Sequence, residues 1–301
     1  MSHIISGKKL HQWRQWATKL AKTNAIDPTE VDWFLQGLTP LTSTALRLDS
    51  YTKQPRIVLS ATVEQLTQKW KQRVEDRVPV QYLTGETPWR QFSLTVTPDV
   101  LIPRPETELI ISIADTLAAQ SPIADERFAG DWADLGTGSG AIAIGLAHTY
   151  PEAYIHAVDI SEKALAIAES NAEKNFLSGR IRFYQGSWLS PLEEEKGKLV
   201  GIVSNPPYIP SSVVPTLQPE VTKHEPHLAL DGGKDGLDCI KHLIEASPDY
   251  LKPGGIWLTE LMEGQAKTVT NLLTSHSSYT HINIHNDLSG IDRFVSARKV
   301  L

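Results

Sequence analysis

From Ala133 onward, short apolar segments alternate with stretches of helical periodicity, and this alternation constrains the fold more than any other feature of the chain. Residues 133–135, 154–158, 181–184, 200–203 and 256–261 read as strands. Residues 141–148, 162–175, 237–251 and 264–274 read as helices between or after them. Apolar strands joined through helices predict a parallel sheet covered on both faces. Two late segments, 281–285 and 294–297, are expected to close it as an antiparallel pair, which makes seven strands. The predicted class is α/β.

The front of the chain has a different period. Leu10, Trp13, Trp16, Ala17, Leu20 and Ala21 fall at spacings of three and four, and Val31, Phe34 and Leu35 form a second stripe. Asp27-Pro28-Thr29-Glu30 suits a helix start, and Thr62 with Gln65 resembles a capping box. Residues 1–87 are therefore expected to form a small helical bundle, and 88–301 the sheet domain. Phe92, Leu94 and Val96 alternate with Ser93 and Thr95, and Pro98-Asp99 offers a turn into Val100-Leu101-Ile102. That predicts a β-hairpin hinge over about 88–102.

Charge divides in the same place. Up to residue 95 there are 13 Lys+Arg against 8 Asp+Glu, and beyond it 16 against 27, for a net charge of -6. This fits two roles, and equally a chance distribution of surface charge. An acidic back half argues against stable nucleic-acid binding, where Lys and Arg must neutralise phosphates. A single cysteine, Cys239, excludes an intramolecular disulfide and a cysteine-rich metal site. The ten histidines are scattered, so no metal is expected. No apolar block follows Lys8-Lys9 and no apolar run reaches about 18 residues, so a cytoplasmic protein without a membrane span is expected.

Asp134-Leu135-Gly136-Thr137-Gly138-Ser139-Gly140 follows the first strand of the sheet and opens a helix at Ala141. Glycines allow a sharp turn and a close approach of backbone N–H groups to a ligand at the carboxyl end of the strands. The spacing G-x-G-x-G differs from the dinucleotide pattern G-x-G-x-x-G and favours a ligand without phosphates. The next strand runs into Asp159, placed to accept hydrogen bonds from both ribose hydroxyls of an adenosine. Its alternative is to cap the following helix, a task that Ser161 can also take. Trp188, after the third strand, either packs on a flat base or belongs to the core.

Asn205-Pro206-Pro207-Tyr208 follows the fourth strand. Two prolines remove two donors and fix φ, giving a stiff loop with exposed carbonyls. It is either a rigid turn or a clamp for an –NH2 group. An amide nitrogen is a poor nucleophile because its lone pair is delocalised. Acceptance of both N–H groups by the Asn205 side-chain oxygen and the Pro206 carbonyl would stabilise positive charge on that nitrogen. It would also aim the nitrogen at a sulfonium methyl, while Tyr208 holds the planar group by its face.

With these motifs the sequence resembles the release-factor glutamine N5-methyltransferases over nearly its whole length. The marks are Gln81-Tyr82-Leu83-Thr84-Gly85-Glu86, Leu101-Ile102-Pro103-Arg104-Pro105-Glu106-Thr107-Glu108, the glycine loop and Asn205-Pro206-Pro207-Tyr208. Glu225-Pro226 with Leu230, Gly233 and Gly236, and Asp292-Arg293-Phe294, complete them. The resemblance implies a Rossmann-like class I methyltransferase domain with S-adenosyl-L-methionine held by Gly136, Thr137, Gly138, Ser139, Gly140, Asp159, Trp188 and Asn205. It implies a glutamine held by Asn205, Pro206, Pro207 and Tyr208, in the Gly-Gly-Gln motif of class 1 peptide chain release factors, with the helical front recognising that partner. Arg104 and Glu106 either line the site or form a structural ion pair. Ser187 stands where related sequences often have an acidic residue, which removes one expected contact to the adenine amine. The alternatives are a ribosomal-protein glutamine methyltransferase and an N6-adenine nucleic-acid methyltransferase. A non-catalytic adenosine-binding module and a dehydrogenase explain less of the chain.

Overall fold

The computed structural model describes residues 3–126 and 129–301. In chain order it contains β1 (His3–Ile5), α1 (Gly7–Thr23), α2 (Glu30–Leu38), α3 (Ser43–Arg47), β2 (Ile57–Leu59), α4 (Val63–Lys71) and α5 (Val80–Thr84). There follow β3 (Glu86–Trp89), β4 (Phe92–Thr95), α6 (Leu109–Ala119), β5 (Trp132–Leu135), α7 (Ala141–Thr149), β6 (Ile155–Asp159) and α8 (Glu162–Lys174). The chain continues through β7 (Ile181–Gln185), β8 (Leu199–Ser204), α9 (Pro219–His224), α10 (Asp238–Ala246) and β9 (Leu251–Glu260). It ends with α11 (Ala266–Ser275), β10 (Tyr279–Asn286) and β11 (Asp292–Lys299). No helix among the described residues is long and apolar enough to cross a membrane.

Two compact units result: residues up to Glu86 together with Gln218–His224, and Thr87–Leu217 together with Glu225–Leu301. In the first, α1 buries Leu10, Trp13, Ala17 and Ala21, whereas Trp16 stays 38% exposed. Phe34 and Trp70 meet at 5.4 Å between centroids, and the Trp70 indole donates to the Ala17 carbonyl. The Thr62–Gln65 capping box forms as the sequence suggests. Asp27 instead accepts from the Thr29 N–H and turns the chain ahead of α2. An antiparallel pair, β1 with β2, was not expected in a helical front; its three-residue strands are too short to show a period.

The second unit holds a seven-stranded sheet in the order β10-β11-β9-β8-β5-β6-β7. Strands β5 to β9 are parallel, and β11 and β10 add antiparallel at one edge. The strand order reverses between β5 and β8, so the crevice at their carboxyl ends is the natural ligand position. Two details correct the sequence reading. The hairpin pairs β4 with the preceding β3 across Arg90-Gln91, not with 100–102. Pro103 and Pro105 lack donors, and Val100 and Ile102 are buried from irregular chain. The helix expected over 237–251 ends at Ala246, where Pro248 interrupts it, and Leu251 already belongs to β9.

Candidate active site

Register places the two chemical loops side by side. Leu135 pairs with Ser204, and the Ser204 hydroxyl donates to the Leu135 carbonyl at 2.6 Å. The next residues are Gly136 on one strand and Asn205 on the other. Gly136, Gly138 and Gly140 all have positive φ (75°, 55° and 82°), which a side chain would strain. The Val158 carbonyl accepts from both Gly136 and Thr137 N–H groups. Asp159 accepts from Gly138 N at 2.8 Å through one oxygen and from Ser161 N at 2.9 Å through the other. Ser161 itself caps α8 by accepting from Ala164 N. Asp159 therefore braces the glycine loop rather than capping the helix, and burial raises its carboxyl above the usual range.

A cavity of about 300 Å³ opens over these loops, lined by Gly136, Gly138, Asp159, Trp188, Asn205 and Pro207 among others. Thr137, Ser139, Gly140, Pro206 and Tyr208 do not line it. Thr137 is buried and donates from its hydroxyl to Asp134 at 2.6 Å, while Gly140 caps α7 where a Cβ would stand 3.1 Å from Ala168. Trp188 lies over Gly136, whose added Cβ would meet the indole at 3.4 Å. Ser187 and the half-buried Cys239 also line the cavity, and burial pushes the Cys239 thiol up.

Beside the cavity a buried polar chain runs under the Asn205 loop. Asn205 Nδ2 donates to Thr107 Oγ1 at 3.3 Å, Thr107 donates to Glu260 Oε2 at 2.6 Å, and the Tyr208 hydroxyl donates to Glu260 Oε1 at 3.1 Å. Glu260 is 2% exposed at the end of β9, and burial raises its carboxyl above the ordinary range. Gln265 holds the Tyr208 carbonyl at 2.9 Å from behind. Sequence reasoning missed Glu260, although a carboxylate inside the apolar run Ile-Trp-Leu-Thr-Glu-Leu is a legible signal. Arg104 resolves as a structural partner: its Nη2 reaches both Glu225 oxygens, at 2.6 and 2.8 Å, rather than Glu106.

Outside this cavity, Asp131, His156 and Glu195 place ligand-type atoms within 4.8 Å of one another. His156 is already engaged there, with Tyr184 at 3.1 Å and Asp131 at 3.3 Å.

The donor set fits S-adenosylmethionine. The loop offers glycine backbone, a carboxylate and an indole rather than a phosphate cradle. In the strand that leads into this loop, the buried Asp134 leaves its Oδ1 without a hydrogen-bond partner.

Comparison with known proteins agrees with this chemistry. The catalytic domain of hMettl16 in complex with a MAT2A 3'UTR hairpin superposes with a TM-score of 0.55 at 13% identity over 88% of each chain. A methyltransferase from Pyrococcus furiosus gives 0.50 at 17% identity, covering 70% of this chain and 91% of its own. These two establish the fold. The methyltransferase small domain family matches residues 115–223. The release factor glutamine methyltransferase of Synechocystis sp. is 52% identical over 98% of both chains. That of Thermosynechococcus vestitus is 46% identical over 98% of this chain and 99% of its own, and that of Bacillus anthracis 33% over 96% and 99%. The cofactor is S-adenosylmethionine, and the chain belongs to the release factor glutamine methyltransferases.

Proposed function

We propose that the enzyme methylates the side-chain amide nitrogen of the glutamine in the Gly-Gly-Gln motif of class 1 peptide chain release factors, and that Asn205, Pro206, Pro207 and Tyr208 form the clamp for it. The observation that carries this reading is the β5–β8 register, which sets the Asn205 loop directly beside the glycine loop. S-adenosylmethionine, when bound, supplies an electrophilic methyl group on a sulfonium. Gly136, Thr137, Gly138, Ser139 and Gly140 shape its seat, Asp159 has lone pairs left for the ribose hydroxyls, and Trp188 offers a face to the base.

The remaining chemistry belongs to the chain. Asn205 Oδ1 and the Pro206 carbonyl accept the two N–H groups of the substrate amide, which orients the nitrogen and stabilises the charge it gains. Tyr208, fixed through Glu260, holds the amide plane. The nitrogen keeps one hydrogen and releases the other as a proton to bulk water. The helical unit supplies the surface that recognises the release factor; Trp33, 55% exposed, is a suitable anchor within it.

The test is transfer of tritium from labelled S-adenosylmethionine to purified release factor. Label should appear on the Gly-Gly-Gln peptide, vanish when that glutamine is replaced, and fall at least about 100-fold in rate for Asn205→Ala. Label on a ribosomal protein or on DNA in preference to the release factor would overturn the substrate assignment.

A further inference from the structure

We propose that Glu260, acting through Thr107, is the positioning residue that sets the polarity of the Asn205 amide, so that its oxygen and not its nitrogen faces the substrate. The inference rests on the reading of Asn205 given above and extends it to two residues outside the clamp.

An asparagine side chain is nearly symmetric in shape, and only its hydrogen bonds decide which end points where. Here the decision starts at Glu260. Its carboxyl group sits at the end of a central strand with 2% exposure, and in that setting its oxygens need hydrogen-bond partners. Two reach it, one per oxygen: the Thr107 hydroxyl at 2.6 Å and the Tyr208 hydroxyl at 3.1 Å. A threonine hydroxyl has a single proton. Because Thr107 commits it to Glu260, the Thr107 oxygen is left only as an acceptor, and Asn205 meets it at 3.3 Å with Nδ2. The flipped amide would set two acceptor oxygens against each other. It would also present Asn205 –NH2 to the substrate –NH2, donor against donor. The same carboxyl group holds the Tyr208 hydroxyl, so one buried side chain orients both side chains of the clamp.

This chain of bonds gives the 101–108 segment a task. Thr107 is 4% exposed on the turn ahead of α6, 98 residues before Asn205 and 153 before Glu260. Neither Thr107 nor Glu260 lines the cavity.

The experiment compares Thr107→Val, Thr107→Ser, Glu260→Gln, Asn205→Ala and the Thr107→Val/Asn205→Ala double variant of the full chain. It measures kcat with release factor, and S-adenosylmethionine affinity by calorimetry as a check on folding. Thr107→Val and Glu260→Gln should each lose roughly 10- to 100-fold in kcat with cofactor affinity unchanged within about threefold. Thr107→Ser, which keeps the hydroxyl, should stay within about threefold of the parent. The double variant should be no slower than Asn205→Ala alone, because Thr107 acts only through that side chain. If Thr107→Val and Glu260→Gln keep parental kcat, or the double variant loses the product of the two single losses, the relay is wrong while the clamp stands. A silent Asn205→Ala would remove the clamp, and the relay with it.

Discussion

Asp134 combines complete burial with an unpaired oxygen. Its Oδ2 accepts from Thr137 at 2.6 Å and from Ala143 N at 2.9 Å, but Oδ1 has no partner. Loss of water pushes its carboxyl up to about 7. The folded protein thus holds this proton more tightly than the unfolded chain, where the group titrates near 3.8. The stability it contributes is complete at acid pH and is lost as pH rises from about 4 to about 7, a change of about 4 kcal/mol. Without cofactor, the unfolding free energy of the parent relative to Asp134→Asn should fall by that order between pH 4 and pH 8. A difference independent of pH would refute the assignment. At this scale the sequence was legible wherever chemistry demanded a special backbone. The three glycines, Asp159 and the double proline announce themselves by type and spacing. The role of Thr107 was not legible, although it stands in the distinctive 101–108 run, because its partners Asn205 and Glu260 lie far along the chain.

Elements were legible to the extent that their period or apolarity is continuous. The parallel strands β5, β6 and β8 stand out because both faces are buried. Helix α6 was not among the predicted helices, since the run Leu-Ile-Ile-Ser-Ile-Ala carries little polar contrast to mark a face. The hairpin was misassigned by one arm: a turn at Arg90-Gln91, with Arg90 at φ 50°, lacks the glycine that usually announces it. Packing between strands was invisible altogether. Gly201 on β8 faces Trp132 on β5, and a Cβ there would stand 2.2 Å from the indole, which is itself stacked on Tyr150 at 4.9 Å. Gly201→Ala must push β8 and β5 apart four residues before the two loops begin. The expected cost is about 1–3 kcal/mol, read as a fall in Tm of roughly 3–10 °C. Cofactor affinity should weaken with it. An unchanged Tm would mean that the ring moves freely, contrary to its burial.

The whole molecule departs from any linear division of the sequence. The first compact unit takes in Gln218–His224 as well as the residues up to Glu86, so it is not one continuous stretch of chain. Nothing local in that heptapeptide reveals this, because its partners lie about 147 residues earlier. Arg73, 4% exposed, donates to both Glu30 oxygens at 2.5 and 2.8 Å and to Glu220 at 2.8 Å, and His224 bonds the Asp76 carbonyl. One guanidinium therefore fastens α2 and α9 to the π-helical turn that follows α4. Removing it strands two carboxylates, and because these keep 16% and 19% side-chain exposure the cost should lie near the lower end for a broken buried pair, about 3 kcal/mol. Every residue lining the cofactor cavity belongs to the sheet unit. Arg73→Ala should therefore lower the unfolding temperature of the helical unit in calorimetry while S-adenosylmethionine affinity holds within about twofold of the parent. Turnover of release factor should then fall through KM, since the substrate's recognition surface is assigned to the unit that has been loosened. A collapse of cofactor affinity in step with the melting temperature would show that the two units do not divide the labour in this way.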